Sequence, residues 1–180
     1  MSNTRTRLAK HVSATPGVHF NGLVERSGLA PGQVQYHLRR LRADGEVRQE
    51  RLYGKTHYYP PEYGDRERRT LALLRRETAR EILCCLLERE TARPTAIADH
   101  LDIARSTLEW QLDRLVEQDL VEKRYDERNR VRLSLTDSPE IARLLREVAP
   151  SVPDRMADRF VRLTDRLLET AADADRRTDS

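Results

Sequence analysis

Cysteine is nearly missing from this chain: there are two, Cys84 and Cys85, adjacent in the apolar run EILCCLLE. With no third or fourth ligand at zinc spacing, they argue against a structural metal site. The pair reads either as a redox sensor or as two small hydrophobes in a core helix, the common fate of free cysteine. No apolar run approaches the ~18 residues of a membrane span, and the N-terminus lacks an apolar signal core, so a cytoplasmic protein is expected. The five histidines, His11, His19, His37, His57 and His100, show no ligand spacing, and no nucleophile stands beside a base. Gly54-Lys55-Thr56 has the ending of a phosphate loop, but Gln49 occupies the place where that loop requires glycine. Neither catalysis, nor a cofactor, nor a metal is expected. Lysine is also rare: Lys10, Lys55 and Lys123 are the only three, and the other 30 cations are arginine. That bias is consistent with genomic base composition and carries no functional reading alone.

What is present is charge, unevenly spread. Charged residues make up 35% of the 180 and hydrophobic ones 38%, a balance that suits small domains with much surface. The net charge of +3 conceals a gradient, because residues 1–60 alone carry ten cations against four acids. The remaining two thirds are neutral to slightly acidic. A polyanion would be drawn first to the N-terminal third.

The chain also repeats itself. Displaced by 74 positions, Ala30 falls on Ala104, Leu38 on Leu112, Arg40 on Arg114, Leu41 on Leu115 and Val47 on Val121. Similar residues fill in the rest, among them Leu8/Ile82, Val12/Leu86, Leu23/Ile97, Val34/Leu108 and Tyr36/Trp110. Two copies of one unit follow, on residues 4–61 and about 77–136. Each reads as three helices and a hairpin. In the first copy TRTRLAKHV forms a short helix, and Asn21 is the candidate cap of a second, with Thr95 its counterpart. Gly28 makes the tight turn, Pro31 opens a third helix running to about Ala43, and Gly45 ends it in a left-handed cap. EVRQERL and THYYP then alternate as two strands around Tyr53-Gly54. Asp119 replaces Gly45 in the second copy, a strained substitute if that position has positive φ. This order is that of a winged helix-turn-helix. The fold class is therefore mainly α with small β-hairpins (α+β): two tandem winged helix-turn-helix domains followed by C-terminal amphipathic helices.

The stretches FNGLVERSGLAPGQVQYHLRRLRADGEVRQERLYGKTHYYPP and PTAIADHLDIARSTLEWQLDRLVEQDLVEKRY resemble archaeal tandem winged-helix transcription regulators of the broad MarR- and ArsR-like kind. The resemblance covers roughly residues 5–136. It implies a DNA-binding protein whose third helix reads the major groove while the wing touches the backbone. Carried onto matching positions, it nominates Gln33, Tyr36, Arg39 and Arg40 on the helix, and Arg51, Lys55 and His57 on the wing. The ArsR-type arrangement of metal-binding cysteines is absent, so metal sensing does not carry over.

The residues themselves support this for the first copy. Val34, Leu38 and Leu41 gather on one side of the third helix, leaving Tyr36, Arg39 and Arg40 to face outward. Arginine engages guanine in bidentate fashion, and Gln33 has the donor and acceptor that adenine requires. Arg42, nearer the side, suits phosphate. The second copy differs. Asp113 stands at the place of Arg39 and Glu109 at that of Gln35, so Arg105 and Arg114 work against two acids. Trp110 either stacks on a partner or packs within the chain. The second wing keeps Lys123, Arg124, Arg128, Arg130 and Arg132 beside Asp126 and Glu127, so secondary DNA or partner contacts by Arg105, Trp110, Arg114, Arg128 and Arg130 remain open. Tyr53 lies near the wing turn, whereas Tyr58, Tyr59 and Tyr63 suit packing of the wing against the following helix.

Residues 65–92 contain no helix breaker, so one long helix or two abutting ones join the copies, with Leu71, Leu74, Ile82, Cys85 and Leu86 on a stripe. Residues 139–172 are amphipathic, through Ile141, Leu144, Leu145 and Val148 and then Met156, Phe160, Leu163 and Leu167. They either dimerise or fold back on the same subunit. Residues 173–180 are expected to fray. The function expected is a sequence-specific, double-stranded-DNA-binding transcription regulator, a homodimer through its C-terminal helices. The alternative is a winged-helix adaptor of the transcription or chromosome-segregation machinery without base readout.

Overall fold

The computed structural model describes residues 2–148, so the helix expected on Met156 to Leu167 and the tail 173–180 lie outside the described residues. The chain divides into two units, Met1–Arg75 and Arg76–Ser180, called here the first and second domains.

In the first domain, helix α1 (Ser2–Ala14) precedes a two-residue strand β1 (Val18–His19), helices α2 (Phe20–Ser27) and α3 (Pro31–Ala43), and strands β2 (Arg48–Leu52) and β3 (Lys55–Tyr59). The strands form one antiparallel sheet in the order β1-β3-β2. Local chemistry sets the boundaries. Gly28 ends α2 in the left-handed region at φ 66°, and Pro31 starts α3 where its missing N–H is no loss. Tyr53 and Gly54 both have positive φ, which gives the tight hairpin turn the twist its strands need. The core gathers Leu8, Val12, Leu23, Val34, Leu38, Leu41, Val47 and Tyr58. Each buried aliphatic contributes roughly 1.5–3 kcal/mol relative to exposure. Helix α4 (Asp65–Leu74) belongs to this domain: Tyr59 donates its hydroxyl to the Arg68 carbonyl at 2.7 Å, and Arg75 just beyond the helix donates to the Pro16 carbonyl at 2.6 Å. The packing expected of Tyr59 is what is found.

The second domain runs α5 (Glu77–Arg89), β4 (Thr91–Ala92), α6 (Pro94–Leu101), α7 (Arg105–Glu117), β5 (Val121–Tyr125), β6 (Val131–Leu135) and α8 (Ser138–Val148), with sheet order β4-β6-β5. Helices α2 and α3 recur in α6 and α7 at an offset of 74. Leu23/Ile97, Val34/Leu108, Leu38/Leu112, Leu41/Leu115 and Val47/Val121 are buried in both copies. Asp102 and Asp119 take the left-handed positions of Gly28 and Gly45, at φ 51° and 57°. Aspartate tolerates that region better than most residues. Helix α8 packs its apolar face against α5, so for this part of the C-terminal segment folding back is the alternative realised.

Two features differ from the sequence reading. Asn21 does not cap α2: pairing of Val18 with Tyr58 and of His19 with His57 holds the chain extended through His19, so the helix begins at Phe20. Thr95 likewise lies inside α6, which Pro94 opens. The connection between the copies is two abutting helices, α4 and α5, one of the two forms the sequence left open. Cys84 and Cys85 are buried on α5.

Candidate nucleic-acid interface

Burial of Val34, Leu38 and Leu41 fixes how α3 is rolled against the core, leaving Gln33, Gln35, Tyr36, Arg39, Arg40 and Arg42 exposed. These side chains do not form one patch. Arg40 and Tyr36, a helical turn apart, are locked together: the Arg40 guanidinium donates to the Tyr36 hydroxyl at 2.6 Å. They line a cleft with Thr4 and Thr6 of α1. Arg39 and Arg42 line the opposite flank, sharing a groove with Gln35 and with Gln49, Thr56 and Tyr58 of the wing sheet. The two adjacent arginines thus address different sides of the helix. Tyr36, half exposed at 50%, is the most exposed large apolar side chain of this domain.

Gln33 is drawn backward. Its side-chain oxygen accepts the Ala30 backbone N–H at 3.3 Å, satisfying a donor left open at the helix start. A bidentate contact to adenine would have to displace that bond.

Strand register decides which wing residues join the groove. Arg51 pairs with Thr56 and Gln49 with Tyr58, so these four share the sheet face that meets α3. Glu50 pairs with His57 on the other face. His57 is therefore not a wing contact. It is 2% exposed, its Nδ1 lies 2.8 Å from the Gly17 carbonyl oxygen, and its ring lies 4.4 Å from that of His19. The nomination fails because the side-chain period of two sends it into the domain. Lys55 is exposed beside the turn. Sequence reasoning missed Gln35 and Gln49. Counting alternation from Arg51 would have flagged Gln49, but nothing local shows that it meets Arg39.

Three acids that follow α3 are committed elsewhere. Glu50 accepts Arg68 Nε at 2.5 Å, and Asp44 and Glu46 both pair with Arg5. Arg39, Arg51 and Lys55 have no ion pair among the described residues. Burial raises the Tyr58 hydroxyl pKa, and nearby Arg42 opposes the shift.

The second domain presents the opposite arrangement. Arg105 pairs with Glu109 at 3.3 Å, and Lys123 of β5 reaches Asp113 of α7 at 3.6 Å. Trp110, 37% exposed, has the Arg114 guanidinium 3.5 Å and the Arg76 guanidinium 4.9 Å from its ring centroid. Both guanidinium groups lie over its ring, yet more than a third of the side chain stays exposed. The second wing turns on Asp126, whose carboxylate accepts the Arg130 side chain at 2.9 Å and two backbone N–H groups. Those bonds, the Arg130 side chain first, hold its pKa down to about 2. Of the five secondary nominees, Arg128 alone makes no side-chain bond or ring contact among the described residues.

Residues 2–71 match a family described as an N-terminal HTH domain, and residues 73–124 match one described as a helix-turn-helix domain. No curated protein matches the chain. No helix among the described residues is long and apolar enough to cross a membrane. With two such domains in series, each folded as a three-helix unit with a hairpin wing, the chain is a tandem winged-helix DNA-binding transcription regulator.

Proposed function

We propose that this regulator reads a specific double-stranded sequence with its first domain, placing α3 in the major groove and the β2–β3 hairpin on the adjoining backbone. The observation that carries the reading is Arg39: exposed on α3, facing a groove of polar wing residues, and without an acidic partner among the described residues. A major groove admits one helix, and a bidentate arginine–guanine pair is worth about 1–3 kcal/mol of discrimination. Arg40 reaches bases from the other flank, already oriented by Tyr36, while Arg42, Arg51 and Lys55 meet phosphates. Access to DNA places the protein in the cytoplasm. Catalysis is not part of the proposal.

The second domain, in this reading, organises the assembly, because its recognition-helix cations are spent on its own acids and on Trp110. The chain acts as a homodimer, so that two first domains span a two-fold operator. The test is fluorescence anisotropy with genomic fragments, comparing the wild type with Arg39→Ala/Arg40→Ala. Loss of about 2–6 kcal/mol of preference for the bound site is expected if each pair behaves typically. Unchanged discrimination would favour the adaptor reading instead.

A further inference from the structure

At the root of the wing, away from its tip, the C-terminal part of α3 and the start of β2 enclose a concavity of about 600 Å³. Arg39, Arg42 and Arg48 all line it. Its only carboxylate, Glu50, is bound to Arg68, which Asp65 also holds. Three exposed arginines therefore border one hollow, Arg39 and Arg42 from the helix and Arg48 from the edge strand, and its one carboxylate is already paired. Arg42 in the last turn of α3 gains something from the helix dipole, but Arg48 has no such role because it stands on a strand.

The repeat supplies an internal control. At the offset of 74, Arg39, Arg42 and Arg48 correspond to Asp113, Val116 and Glu122. The second copy builds the same helix and the same left-handed cap, and a hairpin with a longer turn, with none of the three cations. Its Glu122 carboxylate instead pairs with Arg124 at 2.7 Å. The fold does not need the cluster. Like charges bordering one hollow, which the fold does not need and which make no ion pair among the described residues, are suited to an external anion.

We propose that Arg42 and Arg48, flanked by Arg39, form a seat for one phosphate of the DNA backbone, and that this seat confines DNA binding to the first domain. Arginine forks match phosphate oxygens in bidentate fashion, which fixes orientation as well as adding charge. A phosphate held at the wing root sets how deeply α3 enters the groove, so Arg48 positions the reading head without touching a base. The inference rests on the proposed docking of α3.

Its test is a salt titration of the full chain by anisotropy, on a genomic fragment that it prefers and on a random duplex. Arg48→Gln is expected to weaken both duplexes by the same factor and to lower the slope of log affinity against log salt by about 0.9, the value of one phosphate. The ratio of wild-type to variant affinity then falls about threefold between 50 and 200 mM salt. Arg48→Lys, which keeps the charge, should retain the wild-type slope. Thermal melts of Arg48→Gln should match the wild type, since the second copy folds with Glu122 at that place. An unchanged slope overturns the proposal, as does a loss confined to the preferred fragment. So does inorganic phosphate binding to the wild type but not to Arg48→Gln while the slope stays the same, because the anion would then be a free effector. If Arg39→Ala/Arg40→Ala loses preference while Arg48→Gln keeps its slope, only the phosphate seat fails. If neither variant changes anything, the docking itself fails.

Discussion

The two domains share a core and differ in what they do with charge. Leu38 and Leu112 are buried alike, and so are Leu41 and Leu115. Yet Arg39 faces an open groove where Asp113 is tied to Lys123. Tyr36 with Arg40 and Trp110 with Arg114 keep one aromatic–arginine device in both copies, but the second adds Arg76 over the ring. Buried residues specify the framework and constrain one another, whereas exposed positions on a recognition helix change sign without disturbing the fold. Charge that persists without a local partner therefore points to something outside the chain.

The largest effects should fall on the shared framework. Leu38→Ala and Leu112→Ala each remove a nearly fully buried side chain, 3% and 2% exposed, and should each cost about 2–5 kcal/mol in denaturant unfolding. A large loss at one site with none at the other would break the equivalence of the two cores. Next in size is exchange of the charge pattern. Arg39→Asp, which installs the residue of the second copy, should weaken site preference by at least the ~1–3 kcal/mol of a bidentate pair. Asp113→Arg with Glu122→Arg should raise affinity for random duplex and steepen its salt dependence by about one to two phosphates, without creating a preference.

Smaller still is the helix-end substitution. Gly45 at φ 73° has open space around its Cβ position, so Gly45→Ala should cost only the ~1–2 kcal/mol of left-handed strain. Asp119→Gly should recover a comparable or smaller amount, and thermal melts of the two variants would show opposite signs. The smallest effect is in the second wing. The Asp126 pKa lies at about 2 against an ordinary 3.8, so its contribution is present above 3.8 and is lost as pH falls through about 2. Carboxyl NMR should show this titration, and Arg130→Gln should return it toward the ordinary value.

The repeat, the helices, Pro31 and the left-handed Gly28 and Gly45 were legible because periodicity and backbone chemistry are local. Strands β1 and β4 were not, since two residues carry no period and Val18 finds its partner 40 positions later at Tyr58. That hidden strand displaced the expected Asn21 cap. His57 was misplaced for a related reason: wing residues alternate faces, and only the register with β2 shows which face meets α3. The division of Arg39 and Arg40 between two flanks, and the meeting of Arg39 with Gln49, arise from packing between elements distant in sequence. So does the pairing of Asp113 with Lys123, which leaves the second helix with less free charge than its composition suggests.

Backbone amide shift mapping of the full chain on addition of a preferred DNA duplex tests the division of labour most directly. Perturbations should concentrate on residues 33–42 of α3 and 48–56 of the wing, leaving α7 from Arg105 to Glu117 nearly unmoved. Equal or larger shifts along α7, with α3 silent, would contradict the account.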